Sequence, residues 1–466
     1  MFDFTGSYTD QYQLAMAEVY FLKGQKDHQA IFDYFFRKLP FDSGYAVFAG
    51  LADLLALLEH FQFDAQDIEF LRSQGLNPEF LTYLENFRFQ GTIYAVSEGD
   101  LIFPDSPILS VEANIIEAQL IETILLNLLN FQSLIATKAS KIRQVAGECT
   151  LVDFGLRRAQ GPGGYYASRA AIIGGFNATS NVRAGRDFHI PIAGTMAHSF
   201  IQSYDDELSA FRDFAQVWPD NCTLLVDTYN TLESGIPNAI IIGRELEQQG
   251  HRLQAIRLDS GDLYYLARKA RQMLDDASLA YVKIIASNQL DEHSIKILCD
   301  QKAPIDIFGV GTNLVVGAPD AALDGIYKLV LSQGKPRLKL SENRNKITLP
   351  YQKQNYRLLT AEGNFFGADV IALKDEPPPE IMYAPFTATQ TTAIKNYKKE
   401  PLLHKVMEQG TRLHPPQTLQ EITNYHKERL LKLSLGHKKF HDPVRYEIGI
   451  SSTLKTNWEQ LIKEHQ

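Results

Sequence analysis

The sequence predicts an α/β fold whose middle is a barrel of alternating strands and helices, with mixed α and β structure before and after it. Three observations carry this. From about residue 134, apolar runs recur and end at Asp153 (TLVDF), Thr195 (IPIAGT), Asp227 (TLLVD), Asp259 (AIRLD), Ser287 (VKIIAS) and Gly309 (DIFGVG). Successive ends lie 22 to 42 residues apart, enough each time for one crossover helix between parallel strands. Every run also finishes on a polar residue or a glycine, and in a barrel or a doubly wound sheet such ends share one face and line a single pocket.

Taken in order, Tyr8–Leu22 reads as an amphipathic helix opening at Thr9–Asp10, with Tyr12 one turn in. Residues 30–51 (AIFDYFFRKLPFDSGYAVFAGL) give an aromatic strand, a Pro–Phe–Asp–Ser–Gly turn and a second apolar run, its aromatics belonging to the core. Phe103–Val111 is turn-rich and closes a small sheet before a long helix over 113–131. After about residue 325 the alternation stops. KLVLSQGKPRLKLSE and KITLPYQKQNYRLLT read as antiparallel strands, DEPPPE (375–380) as a proline-rich link, and Lys395–Phe440 as a basic, largely helical tail packing on the barrel.

At 466 residues the chain accommodates two or three domains, or a barrel with additions. A net charge of −9 argues against a general nucleic-acid or anionic-membrane binder, while leaving room for phosphorylated small substrates held by local arginines. Cys149, Cys222 and Cys299 are scattered and odd in number, which fits neither a disulfide framework nor a cysteine zinc site. The N-terminus shows no signal-peptide pattern, and the most apolar window, Ala113–Phe131, is broken by Glu117 and Glu122. These features point to the cytoplasm.

The chemistry concentrates in RLDSGDL (257–263), between an apolar strand and a helical run from Tyr264. Arg257, Asp259, Ser260 and Asp262 crowd one corner, and Gly261 lets the backbone approach a ligand. The same residue types also make a polar helix cap, so the segment alone supports either role. At the first strand end, Phe154 can stack on a flat ring while Arg157, beside Arg158, holds a phosphate or carboxylate. His198 follows another strand end. A lone histidine is more often structural, but on a ligand face it can act as acid, base or phosphoryl acceptor. FGVGTNLV (308–315) is a glycine turn whose N–H groups can cradle a phosphate, a weak signal by itself. VDTYNTLESG, with Asp227 standing alone, only loosely imitates a ribose-phosphate loop with two adjacent acids.

The ordered segments TDQYQLAM, DFGLRRAQGP, GGFNATSNV, AGTMAHSF, VDTYNTLESG, IRLDSGDL, ASNQLDE and FGVGTN resemble the nicotinate phosphoribosyltransferase family over roughly residues 5–345. The resemblance implies synthesis of nicotinate mononucleotide and pyrophosphate from nicotinate and phosphoribosyl pyrophosphate, with ATP as co-substrate, Mg²⁺, and NAD biosynthesis as its setting. It implies an irregular α/β barrel of the type II phosphoribosyltransferase kind over 134–325. A second α+β domain would come from 1–133 and 326–466, the first of these also contributing to a homodimer with shared active sites. By the same resemblance Tyr12, from the neighbouring subunit, and Phe154 sandwich the pyridine. Thr195 and Arg257 bind substrate, Arg157 and Asp259 surround the phosphoribosyl group, and Gly311–Thr312 hold the 5′-phosphate. His198 is the transiently phosphorylated histidine, and with Asp259 and Arg257 makes up the catalytic set. No residue is picked out as a metal ligand, and the cysteine zinc cluster of some archaeal relatives is missing. Nicotinamide phosphoribosyltransferase, which has an acid where this chain has Ser180, and a non-catalytic barrel that only binds ligands are the alternatives. Ser180 favours nicotinate, because an acid there would repel its carboxylate.

Overall fold

The structure, a computed structural model, describes residues 4–340, 348–385 and 390–465. The chain divides into two compact units, one comprising Lys138–Ala321 and the other Met1–Thr137 with Ala322–Gln466.

The middle unit is built on six parallel strands: β1 (Thr150–Asp153), β2 (Ala178–Thr179), β3 (Thr223–Leu225), β4 (Ala255–Leu258), β5 (Lys283–Ala286) and β6 (Ile307–Val310). Their order is β2-β1-β6-β5-β4-β3, every adjacent pair parallel. The last strand therefore pairs with the first, the cyclic order of a sheet curling on itself. Between β2 and β3 the described residues form no ladder. There Ile192 makes a single parallel bridge to Thr179, and the Thr195 hydroxyl donates to the Thr223 carbonyl at 2.6 Å. Helices α1 (Gly163–Ile173), α2 (Val182–Phe188), α3 (His198–Gln202), α4 (Glu207–Val217), α5 (Ile236–Gln248), α6 (Leu263–Asp276), α7 (Glu292–Asp300) and the one-turn α8 (Thr312–Val315) fill the connections. The strand interiors are largely apolar, as strands covered on both faces are, with Leu224, Leu225, Ile256, Leu258, Ile284 and Val310 fully buried and Arg257 the charged exception in β4.

The other unit joins the two chain ends in shared sheets. Gln29–Phe36 lies between Leu109–Asn114 and Gly325–Ser332, all antiparallel, and Thr92–Ala95 pairs with His404–Glu408. A six-stranded sheet, including Lys353–Leu359, Phe365–Leu373 and Glu447–Ile450, comes from the C-terminal segment. Arg357 is buried between Asp100 (2.7 Å) and Asp369 (3.2 Å), and Arg429 reaches Asp100 at 2.8 Å. Removing Arg357 would leave the buried Asp369 without its guanidinium, at a cost of roughly 3–5 kcal/mol.

Several expectations are corrected. The helix expected over 113–131 is two, Ile115–Leu120 and Glu122–Ala146, and the second runs well past the expected start of the strand–helix alternation. IPIAGT forms an isolated bridge instead of a ladder strand, since Pro191 has no N–H to donate; the strand of that connection is β2, within FNATS. The segment Lys395–Phe440 is helical only over Leu419–Lys432 and otherwise contributes strands such as Lys398–Pro401 and His404–Glu408. Nor is it a solvated basic face, because Arg429 is buried against Asp100. DEPPPE is a loop between two strands of one sheet. The antiparallel strands after residue 325 form, although residues 341–347 of that region lie outside the described residues. No helix among the described residues is long and apolar enough to cross a membrane.

Candidate active site

The C-terminal ends of the parallel strands meet at one rim, and RLDSGDL is its centre. Arg257 and Asp259 stand two residues apart at the end of β4, so their side chains leave the same face. The Arg257 guanidinium donates to Asp259 Oδ1 at 2.7 Å and, through Nε, to Ser287 Oγ at 2.9 Å. Ser287, at the end of β5, donates in turn to Asp259 Oδ1. Two groups on two strands thus hold one carboxylate oxygen.

The other oxygen of Asp259 faces His198, whose Nε2 lies 3.8 Å away. His198 opens α3, and its Nδ1 meets the Thr228 hydroxyl at 3.1 Å. On the far side of Arg257 the guanidinium carbon stands 5.5 Å from the centre of the Phe154 ring. That ring lies against Gly309 of β6 so closely that a Cβ there would sit 2.3 Å from it. Glycine at 309 is what makes room for the aromatic.

Beneath this rim lies a carboxylate that the sequence reading set aside. Asp227, at the end of β3, accepts from the Asp259 backbone N–H at 2.8 Å and from the Ser260 hydroxyl at 2.6 Å, both through Oδ2. Its Oδ1 is buried and has no hydrogen-bond partner among the described residues. Asp153 is wholly buried at the end of β1, and burial raises its carboxyl above the usual carboxylate range. Nearby, Glu207 at the start of α4 is also buried and shifted upward by desolvation, with Asn238 donating to it at 3.0 Å.

The remaining candidates are distributed as follows. Asp262 is the N-cap of α6, accepting from the Tyr265 N–H at 3.0 Å, while Gly261 takes a φ of +76° that only glycine adopts easily. The segment is therefore both things at once: Asp262 caps, and Arg257 with Asp259 faces the rim. Thr195 sits at the seam between β2 and β3 through its bond to Thr223. Ser180, half-buried just after β2, donates its N–H to the Asp153 carbonyl at 2.8 Å. Arg157 is exposed in the short turn Leu156–Arg158. Gly311 and Thr312 open α8 directly after β6. Tyr12 belongs to the other unit, 49% exposed on the helix Gln11–Leu22. Asp227 and Ser287 were legible only as the polar ends of apolar runs, a signal that marks position but not partner, and Thr228 follows Asp227 with no signal of its own.

Chemically, the rim offers a flat aromatic surface, a guanidinium, a carboxylate held in place with one oxygen available, and an imidazole beside it. That set suits a planar ring, a polyanion and a sugar carrying developing positive charge. Comparison with known proteins gives the family. Models described as the nicotinate phosphoribosyltransferase N-terminal domain, family and C-terminal domain match residues 8–130, 149–348 and 352–457. The nicotinate phosphoribosyltransferase of Bacillus subtilis is 42% identical over 469 residues, covering 98% of this chain and 95% of its own. That of Caenorhabditis elegans is 36% identical over 514 residues, covering 96% and 91%. Among solved structures, human nicotinic acid phosphoribosyltransferase superposes with a TM-score of 0.89 at 32% identity, over 97% of this chain and 99% of that one. A nicotinate-nucleotide pyrophosphorylase from Pyrococcus furiosus gives 0.71 at 25% identity, over 92% and 95%.

Proposed function

The chain belongs to the nicotinate phosphoribosyltransferase family, and we propose how its strand-end residues perform that family's reaction. The activity is nicotinate phosphoribosyltransfer in NAD salvage. The ring nitrogen of nicotinate attacks C1 of the phosphoribosyl group of phosphoribosyl pyrophosphate, and pyrophosphate departs. That nitrogen carries no proton, so no general base is required. The barrier lies in the ribosyl cation-like transition state and the departing charge.

In this reading Phe154 is the floor of the pyridine slot, and Arg257, 5.5 Å from its ring, meets the anionic substrates. Asp259, with Oδ1 held by Arg257 and Ser287, turns its other oxygen to the ribose and favours the developing positive charge. Thr195 and Ser180 line the slot toward the nicotinate carboxylate. Arg157 and the turn at Gly311–Thr312 take the phosphoribosyl phosphate, the latter with the backbone N–H groups of α8. Asp227 Oδ1, a hard oxygen buried without a partner among the described residues, together with Asp259 suits Mg²⁺ carried in on the pyrophosphate. When bound, the ion supplies charge neutralisation at the leaving group. The finer features of the assignment are a closed barrel sealed at the β2–β3 seam, a cytoplasmic enzyme, and a homodimer in which Tyr12 of a second copy covers the pyridine. In support of the dimer, Tyr12, Val19 and Leu22 leave an apolar stripe exposed along the helix Gln11–Leu22. ATP as co-substrate phosphorylates His198, whose Nε2 stands 3.8 Å from Asp259.

The cluster of Arg257, Asp259 and Ser287 facing Phe154 carries this reading. Nicotinate and nicotinamide are compared with and without ATP, on the wild type and on His198→Asn. Nicotinate is expected to win by at least about tenfold in kcat/KM, since about 1.4 kcal/mol of mismatch suffices. His198→Asn should keep slow ATP-independent synthesis and lose substrate-dependent ATP hydrolysis. Equal use of the two pyridines would reject the Ser180 assignment, and intact coupling in the variant would reject His198 as phosphoryl carrier.

A further inference from the structure

Asp153 precedes the ring-bearing Phe154, yet it is wholly buried. Its Oδ1 accepts from the Gly155 N–H at 2.8 Å, which shapes the turn carrying Phe154. Its Oδ2 accepts from Ser168 of α1 at 2.7 Å and from Thr179 of β2 at 2.8 Å. The backbone carbonyl of Asp153 accepts the N–H of Ser180 at 2.8 Å, and Thr179 Oγ1 accepts the N–H of Asn181 at 3.0 Å. One residue therefore gathers a turn, a helix and a strand edge, and its carboxylate does so with three neutral donors.

Burying a carboxylate with only neutral donors is expensive, and burial accordingly raises the Asp153 carboxyl. A fold that needed only to tie β1 to β2 could use an amide or a hydroxyl at lower cost. What the carboxylate alone offers is acceptor capacity at both oxygens. An amide would present its NH₂ to one of the donors and release that element. The elements so gathered are specific: one bears Phe154, the other bears Ser180.

We propose that Asp153 is a positioning residue for pyridine recognition: its carboxylate fixes the spacing between the Phe154 turn and the Ser180 strand edge, so that ring stacking and carboxylate recognition act on nicotinate together. The inference rests on the reading of Phe154 and Ser180 as pyridine-slot residues. It separates Asp153 from Arg257 and Asp259, which face the phosphoribosyl group.

The test measures kcat and both KM values for Asp153→Asn, Phe154→Ala and the double variant, with thermal midpoints recorded. Asp153→Asn should raise the nicotinate KM by about tenfold or more and narrow the preference for nicotinate over nicotinamide, with the phosphoribosyl pyrophosphate KM rising by a smaller factor, since among its assigned ligands Arg157 alone shares the Phe154 turn. The double variant should lose less nicotinate affinity than the two single losses combined, because part of the Asp153 effect acts through that ring. Should Asp153→Asn fail to fold, Thr179→Val keeps the acid and deletes one donor, with the same split expected at about threefold. An unchanged nicotinate KM, both KM values rising by the same factor, or additive losses in the double variant would overturn the proposal. If Phe154→Ala itself leaves the nicotinate KM unchanged, the ring assignment falls first and takes the proposal with it. A strong Phe154→Ala effect with a silent Asp153→Asn overturns the Asp153 role alone.

Discussion

Gly309→Ala tests the pyridine slot with one added methyl group. Its Cβ would lie 2.3 Å from Cε2 and 2.4 Å from Cδ2 of Phe154. Carbon atoms settle at about 3.5–4.0 Å, so the ring edge or the strand must retreat by more than about 1 Å. The strand has little freedom, because Gly309 is paired with Val152 within a parallel ladder running from Thr150 to Asp153. The ring yields instead, within the space assigned to the pyridine beside the Arg257 guanidinium. A displacement of about 1 Å in a positioning group costs up to about a hundredfold, so the nicotinate KM should rise between about ten- and a hundredfold, or about 1.4–2.8 kcal/mol. The phosphoribosyl pyrophosphate KM should rise less, because Asp259, which faces the ribose in this reading, stands after β4 and is held by Arg257 and Ser287 and not by the ring. Steady-state kinetics with each substrate varied in turn, beside a thermal melt that excludes gross unfolding, reads both numbers. A folded variant with a normal nicotinate KM would show that Phe154 does not form the slot.

Three further outcomes are expected. Asp259→Asn keeps the shape but removes the charge, and kcat should fall by roughly two to three powers of ten with a smaller change in KM; a normal kcat with only a raised KM would assign Asp259 to ground-state binding. Mixing Tyr12→Ala chains with Arg257→Ala chains should restore activity that neither has alone, because one site of the hybrid dimer is intact; no recovery despite proven subunit exchange would refute the shared site. Burial lowers the His426 imidazole to about 4 from an ordinary 6.5, so the neutral form supports the fold fully above pH 6.5 and that support, about 3 kcal/mol, drains away as pH falls toward 4. Thermal midpoints across that window should drop for the wild type and flatten for His426→Asn, whose amide can still donate to the Gly99 carbonyl; parallel curves would place the acid lability elsewhere.

The parts legible in the sequence were those whose physics is local. Strands β1 and β3 to β6 are covered on both faces and so appear as largely apolar runs, broken in β4 by Arg257, and each ends where the hydrophobic requirement ends. Arg257 and Asp259 were readable as partners because two residues along a strand restore the same face. What escaped was short or distant. Strand β2 has two residues, and no apolar run announces it inside FNATS. Asp227 looked like a lone acid because its partners, Asp259 N–H and Ser260, come from the next strand end. The tail looked solvated because Arg429 finds Asp100 only across most of the chain length, a pairing that no local pattern carries. Tyr12 and Arg157, both exposed, gain meaning only from substrates or a second copy.

The geometry around Asp259 also bears on how ATP hydrolysis could be felt by the transfer reaction. One oxygen is committed to Arg257 and Ser287, and the other faces both the space assigned to the ribose and the imidazole of His198 at 3.8 Å. A unit charge at about that distance interacts by about 4 kcal/mol at the effective dielectric of a partly exposed site. A phosphoryl group on His198 would put about two negative charges there, next to a carboxylate already in place. Alone, that arrangement is repulsive, and it becomes favourable only when cationic charge or Mg²⁺ with the substrate fills the rim. Phosphorylation would then penalise the empty site and leave the loaded one nearly unaffected, which amounts to tighter substrate binding. Loss of the phosphoryl group would remove the penalty and let product leave. On this account coupling needs no distant relay: it is an argument between two side chains over one carboxylate, and replacing Asp259 by Asn should weaken the effect of ATP on the substrate KM as well as slow the chemistry.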